Sequence, residues 1–159
     1  MARNTIVIRG DGRYTEGTLG TGFTPKPGTA MMIKSGVAMD GSGRHTYIPW
    51  DGAADGEQDE VIILRENEGK GGLTTTAYAD SEHCYLFIPV RGDEFLVLFG
   101  DVAGTGAASD VAVGDKLMID DVTGKAIPTT GSPEMEPFKA LEGFVDATAD
   151  VLLLVRMIA

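Results

Sequence analysis

From residue 113 onward the chain runs through three apolar segments, Val113–Ile119, Phe138–Val145 and Val151–Ile158, each bounded by Asp, Gly or Pro. Segments this short, set between turn-forming residues, read as β-strands. Val113–Ile119 leads through Asp120-Asp121-Val122-Thr123-Gly124-Lys125 into Ala126-Ile127-Pro128, the pattern of a strand, a tight turn and a returning strand. A Pro/Gly-rich connection precedes Pro137–Val145, and Asp-Ala-Thr-Ala-Asp at 146–150 turns the chain into its terminal strand. A chain ending this way folds by pairing short strands.

The remainder extends that reading. At 159 residues one domain with its own core is expected. The 22 glycines and 7 prolines exceed ordinary usage yet stay below the level of low-complexity chains, which means many turns. Further strands are expected at Thr5–Arg9, Thr29–Lys34, His45–Trp50, Val61–Leu64, Leu73–Tyr78, Cys84–Val90 and Phe95–Phe99, giving about eight to ten in all. Sustained helical periodicity is lacking, with room for a single turn at 57–68 and another at 134–141, where Pro133 and Pro137 intervene. Residues 10–28 pack six glycines and two prolines around Phe23 and bury little by themselves, so they read as an extended arm or long loop. The expected fold is all-β: a small β-barrel or sandwich over residues 29–159, preceded by an N-terminal strand and Gly/Pro-rich arm over residues 1–28.

The chemistry-bearing residues are sparse. Thirteen Lys and Arg stand against 24 Asp and Glu, a net charge of −11 that repels a phosphate backbone and disfavours nucleic acid as a partner. Cys84 is the lone cysteine, so there is no intramolecular disulfide and no cysteine-based metal site. His83 beside it would point to the opposite face of a strand, which argues against a Cys/His nucleophile pair. His45 and His83 are too few for a multi-histidine centre within one chain. Asp51–Glu60 gathers five carboxylates in ten residues, but their spacing departs from a calcium loop and reads as solvated. Phe95–Phe99 enters a glycine-rich turn without the helix or Gly-Lys-Ser/Thr that a phosphate loop needs. The expectation is a non-enzyme with no cofactor. The start of the chain lacks a long apolar region and no run approaches the ~18 residues of a membrane span, so synthesis in the cytoplasm without membrane insertion is expected.

The order Gly114-Asp115, a hairpin through Gly124, Ala140-Leu141-Glu142, a turn and then Val151–Ile158 resembles the C-terminal part of small capsid decoration, or cement, proteins of tailed bacteriophages. The resemblance covers roughly residues 110–159. It implies a structural virion protein on the capsid exterior, a homotrimer that bridges major capsid subunits and stabilises the assembled shell. Phe23, Pro25 and Lys26 of the arm, together with Trp50, are then the expected contacts with capsid or sister subunit. The alternative is a soluble β-barrel binding module that holds a sugar or small ligand near Trp50 and Tyr47.

Overall fold

The computed structural model describes residues 5–50, 60–67, 69, 71, 74–100, 109–129, 136–147 and 150–159. Their regular elements are thirteen strands: β1 (Val7–Arg9), β2 (Arg13–Leu19), β3 (Ala30–Ile33), β4 (Thr46–Pro49), β5 (Ile62–Leu64), β6 (His83–Ile88), β7 (Glu94–Phe99), β8 (Ser109–Val111), β9 (Lys116–Ile119), β10 (Ala126–Pro128), β11 (Phe138–Ala140), β12 (Phe144–Ala147) and β13 (Val151–Met157). The all-β expectation holds, and the barrel is double.

The first barrel closes in the order β2-β4-β3-β5-β6, with β6 returning to β2 in register from Arg13↔Ile88 to Thr18↔His83. The second follows β7-β10-β9-β11-β13 and closes through six antiparallel pairs between β13 and β7, from Val151↔Phe99 to Arg156↔Glu94. Strand β1 leaves the first barrel's side of the chain and pairs with β7, Val7 opposite Phe95. A separate two-stranded ribbon joins β8 to β12. Closure pairs the strand edges that would otherwise template aggregation.

The two barrels share a wall. Along a strand successive side chains face opposite sides. In β5, Ile62 and Leu64 enter the first barrel's core with Leu19, Met31, Cys84 and Leu86. Ile63 between them joins Phe95, Val97, Leu117, Phe138 and Leu153 of the second. Met31 and Ala30 divide in the same way on β3, and Leu86 and Phe87 on β6. Both faces are therefore buried, which is why Val61–Leu64 is apolar at every position instead of alternating. Aromatic rings continue through this wall: Tyr14 to Phe87 at 5.3 Å, Phe87 edge-on to Phe95 at 6.0 Å, and Phe95 edge-on to Phe138 at 5.8 Å. Each such pair adds about 0.5–1.5 kcal/mol beyond its buried area.

Several expectations need correcting. Residues 10–28 are not an arm throughout, because Arg13–Leu19 is a wall of the first barrel between β4 and β6. Its glycines mark aromatic packing: a Cβ on Gly17 would lie 2.3 Å from the Tyr47 ring, and one on Gly12 2.7 Å from Phe87. The expected strand over Leu73–Tyr78 is not formed in its described residues, 74–78, where turns and bends lead to β6. Val113 and Gly114 form a turn instead of beginning β9, with the Asp115 N–H donating to the Ala112 carbonyl. Phe138–Val145 divides into β11 and the start of β12 at 141–143. The short ribbon strand β8 was not anticipated.

Candidate functional site

A cleft of about 390 Å³ opens where the β2–β3 loop of the first barrel meets the β9–β10 turn of the second. The loop is anchored along its length. The Tyr78 N–H donates to the Pro25 carbonyl at 2.9 Å, the Thr29 hydroxyl to the Lys26 carbonyl at 2.7 Å, and the Gly22 N–H to the Asp80 carboxylate at 2.8 Å. Gly28 then ties the barrels together, donating to Leu64 and accepting from Leu98, both at 2.8 Å. Its φ of 90° and the backbone of Leu98, 2.7 Å from where a Cβ would stand, both require glycine.

The opposing turn is self-braced. The buried Asp120 carboxylate accepts from the Thr123 N–H at 2.9 Å and from the Thr123 hydroxyl. Gly124, at φ 68°, lets its carbonyl accept the Ala30 N–H of β3 at 2.8 Å. Lys125 is thereby delivered to the cleft, where its ammonium meets the Asp150 carboxylate at 2.7 Å. Asp150 sits over Gly100, where a Cβ would come within 2.6 Å of the carboxylate oxygen. Lys26 approaches the other Asp150 oxygen at 3.8 Å. Lys34, just beyond β3, lines the same cleft. Among the described residues it has no carboxylate within ion-pair distance. Phe23, Pro25, Ile48, Pro49, Leu98 and Val122 supply apolar walls.

Phe23, Pro25 and Lys26, read from sequence as contact residues, thus stand together on one side of this cleft. Pro25 is buried, Phe23 half-buried and Lys26 exposed. Trp50 lies beside the cleft and outside its lining; it packs on the shared core and donates its N–H to the Ala30 carbonyl at 2.9 Å. Lys34, Lys125, Val122 and Asp150 were not anticipated. Their separation along the chain leaves no local pattern, and only barrel closure assembles them.

No protein-family model and no curated protein matches the chain. Its chemistry is therefore read from the residues themselves. Among the described residues three ammonium groups and one carboxylate line the cleft, with the carboxylates of Asp80 and Asp120 behind it on Gly22 and Thr123.

The other residues considered for chemistry are held in structural roles. Cys84 is buried in the first barrel, and burial pushes its thiol up to about 12. Adjacent His83 faces the other side, with one ring nitrogen 2.7 Å from Arg44 and the other 3.3 Å from Glu16. Tyr47 is 3% exposed, so its ring presents no face on which a sugar could stack. The acidic stretch 51–60, apart from Glu60, and the glycine-rich stretch 101–106 lie outside the described residues. Among the described residues no group of three or more His, Cys, Asp or Glu is placed to hold a metal, and no helix is long and apolar enough to cross a membrane.

Proposed function

We propose that this chain is a structural virion protein: a decoration protein that binds the outer surface of an assembled tailed-phage capsid and ties neighbouring major capsid subunits together. The observation that carries the reading is the strand and turn order of residues 110–159, which resembles such proteins; four of its strands, β9, β10, β11 and β13, close a ring with β7, and β12 pairs with β8 in the flanking ribbon. That barrel and its flanking ribbon hold three valines out on connecting segments or a ribbon strand, Val113 at 68% exposure, Val122 at 71% and Val145 at 77%. Acting as a homotrimer on the capsid exterior, the protein stabilises the expanded shell by adding interface that only the assembled lattice offers.

The test is co-sedimentation of purified protein with empty heads assembled from the major capsid protein of the same genome, with its mass in solution measured by light scattering. A trimer that saturates expanded heads and raises their melting temperature is the expected result. A protein that stays in the supernatant at concentrations far above the capsid-site concentration overturns the reading.

A further inference from the structure

We propose that the cleft between the barrels is a docking site for a short acidic segment of a protein partner, with Lys26 and Lys34 taking its carboxylates. Phe23, Ile48, Pro49 and Val122 would receive the apolar side chain that accompanies them. The inference rests on the capsid reading for who the partner is, a capsid subunit, and on the cleft alone for what it must look like.

Charge complementarity sets the sign. Among the described residues Lys26, Lys34 and Lys125 face the cleft against the one lining carboxylate, Asp150, while the carboxylates of Asp80 and Asp120 stand behind the lining, taken up by the N–H groups of Gly22 and Thr123, so the surface an occupant meets carries more ammonium than carboxylate. Low-dielectric walls focus such a field on an approaching anion. The surrounding negative charge also limits the occupant's length, because an extended polyanion such as a nucleic acid would be repelled outside the cleft. One or two carboxylates on a short segment fit both conditions.

The three lysines are not equally engaged. Lys125 is held in a close ion pair with Asp150 at 2.7 Å. Lys26 stands 3.8 Å from the same carboxylate, beyond hydrogen-bond distance, and its side chain is 47% exposed. Lys34 completes the set from the first barrel without a carboxylate of its own among the described residues. Two donors are therefore available to an incoming anion without breaking the Lys125–Asp150 pair. The walls argue against a bare ion as the intended occupant: Val122 lines the cleft yet remains 71% exposed, and an ion would leave it so. Gly28 and Gly124 fix the two sides through backbone hydrogen bonds, so the site is formed before anything binds.

The test uses isotope-labelled full-length protein titrated with N-acetyl-Glu-Leu-Glu-amide, followed by amide NMR shifts. N-acetyl-Lys-Leu-Lys-amide and inorganic phosphate are titrated in parallel. The acidic peptide is expected to move the amides of Phe23, Lys34 and Val122. Lys34→Glu should weaken it at least tenfold, whereas Lys139→Glu, on an exposed part of β11, should leave it unchanged. Equal shifts from phosphate would make the cleft a small-anion site, equal shifts from the basic peptide would make it merely apolar, and silence in all three titrations would make it empty space; each overturns the proposal. A second arm sediments the double variant Lys26→Glu/Lys34→Glu with heads after its melting temperature has been matched to that of wild type. At least a tenfold loss of head binding supports docking through the cleft. If wild type and double variant bind heads equally, docking falls and the decoration reading stands. If wild type takes the acidic peptide in the cleft yet ignores heads, the decoration reading falls and the docking chemistry stands.

Discussion

Gly28 and Gly124 are the positions at which a single methyl group would part the barrels. A Cβ on Gly28 meets the backbone of Leu98 at 2.7 Å and of Val97 at 3.1 Å, and one on Gly124 meets the Ala30 carbonyl at 2.5 Å. Gly22 has the same φ of 90° as Gly28 but nothing within 4 Å, so it isolates the conformational part of the effect. Gly22→Ala should lose about 1–2 kcal/mol from the left-handed backbone alone. Gly28→Ala should lose at least about twice as much, read as the shift in urea midpoint at constant slope. Cys84 supplies a second prediction at this scale. Its folded thiol titrates near 12 while an unfolded one titrates near 9, so between those values the unfolded chain has released a proton that the folded chain keeps. Stability is then fully present below about pH 9 and declines as pH rises toward 12. Tyr47 and Tyr78, both pushed up chiefly by burial, act in the same direction. Cys84→Ala should make the alkaline fall in melting temperature shallower without abolishing it, and wild-type Cys84 should resist alkylation until the protein unfolds.

The elements differ in how openly the sequence announces them. β7, β10, β11 and β13 are legible because apolar runs meet Asp, Gly or Pro at their ends, and the β9–β10 hairpin follows from its Asp/Gly turn. β2 is illegible for the opposite reason: Arg13-Tyr14-Thr15-Glu16-Gly17-Thr18-Leu19 has one aliphatic side chain, and its glycine gives way to a ring supplied from β4. Propensity reads such a segment as loop, and only the partner strand reveals it as wall. The cleft was half legible. Phe23, Pro25 and Lys26 are neighbours in sequence, whereas Lys34, Lys125 and Asp150 become neighbours only through long-range pairing. The connection from β1 to β2 depends on Asp93, whose buried carboxylate accepts the N–H groups of Asp11, Gly12 and Val90 at 2.9, 3.1 and 2.9 Å. Asp93→Ala leaves three donors without that acceptor and should lose about 2–4 kcal/mol. Asn, retaining one acceptor oxygen, should restore part of it, and hydrogen exchange should locate the loosening at residues 11–12 and 90.

At the scale of the whole molecule the shared wall decides cooperativity. Phe87 comes from the first barrel's β6 yet lies in the second barrel's core, tilted against Tyr14 and edge-on to Phe95. Phe87→Ala should therefore lose about 3–5 kcal/mol. Chemical denaturation of wild type and variant should each show one transition, with Trp50 fluorescence and far-ultraviolet dichroism coincident. Two separated transitions would mean that the barrels unfold independently. The sequence suggested one barrel domain because its turn signals are evenly spread. That a second ring closes within the same chain depends on long-range pairings such as Val151↔Phe99 between β13 and β7, which no local pattern encodes.

The carbonyl of Gly28 accepts from Leu98 and that of Gly124 accepts from Ala30, so each side of the seam is stitched to the other by main chain. Main-chain stitches leave no hinge. A partner reaching the seam meets jaws that are already set, and little conformational freedom is lost there on capture. The heat-capacity change of such an encounter should report only the apolar surface it covers, free of any contribution from chain that orders as it binds.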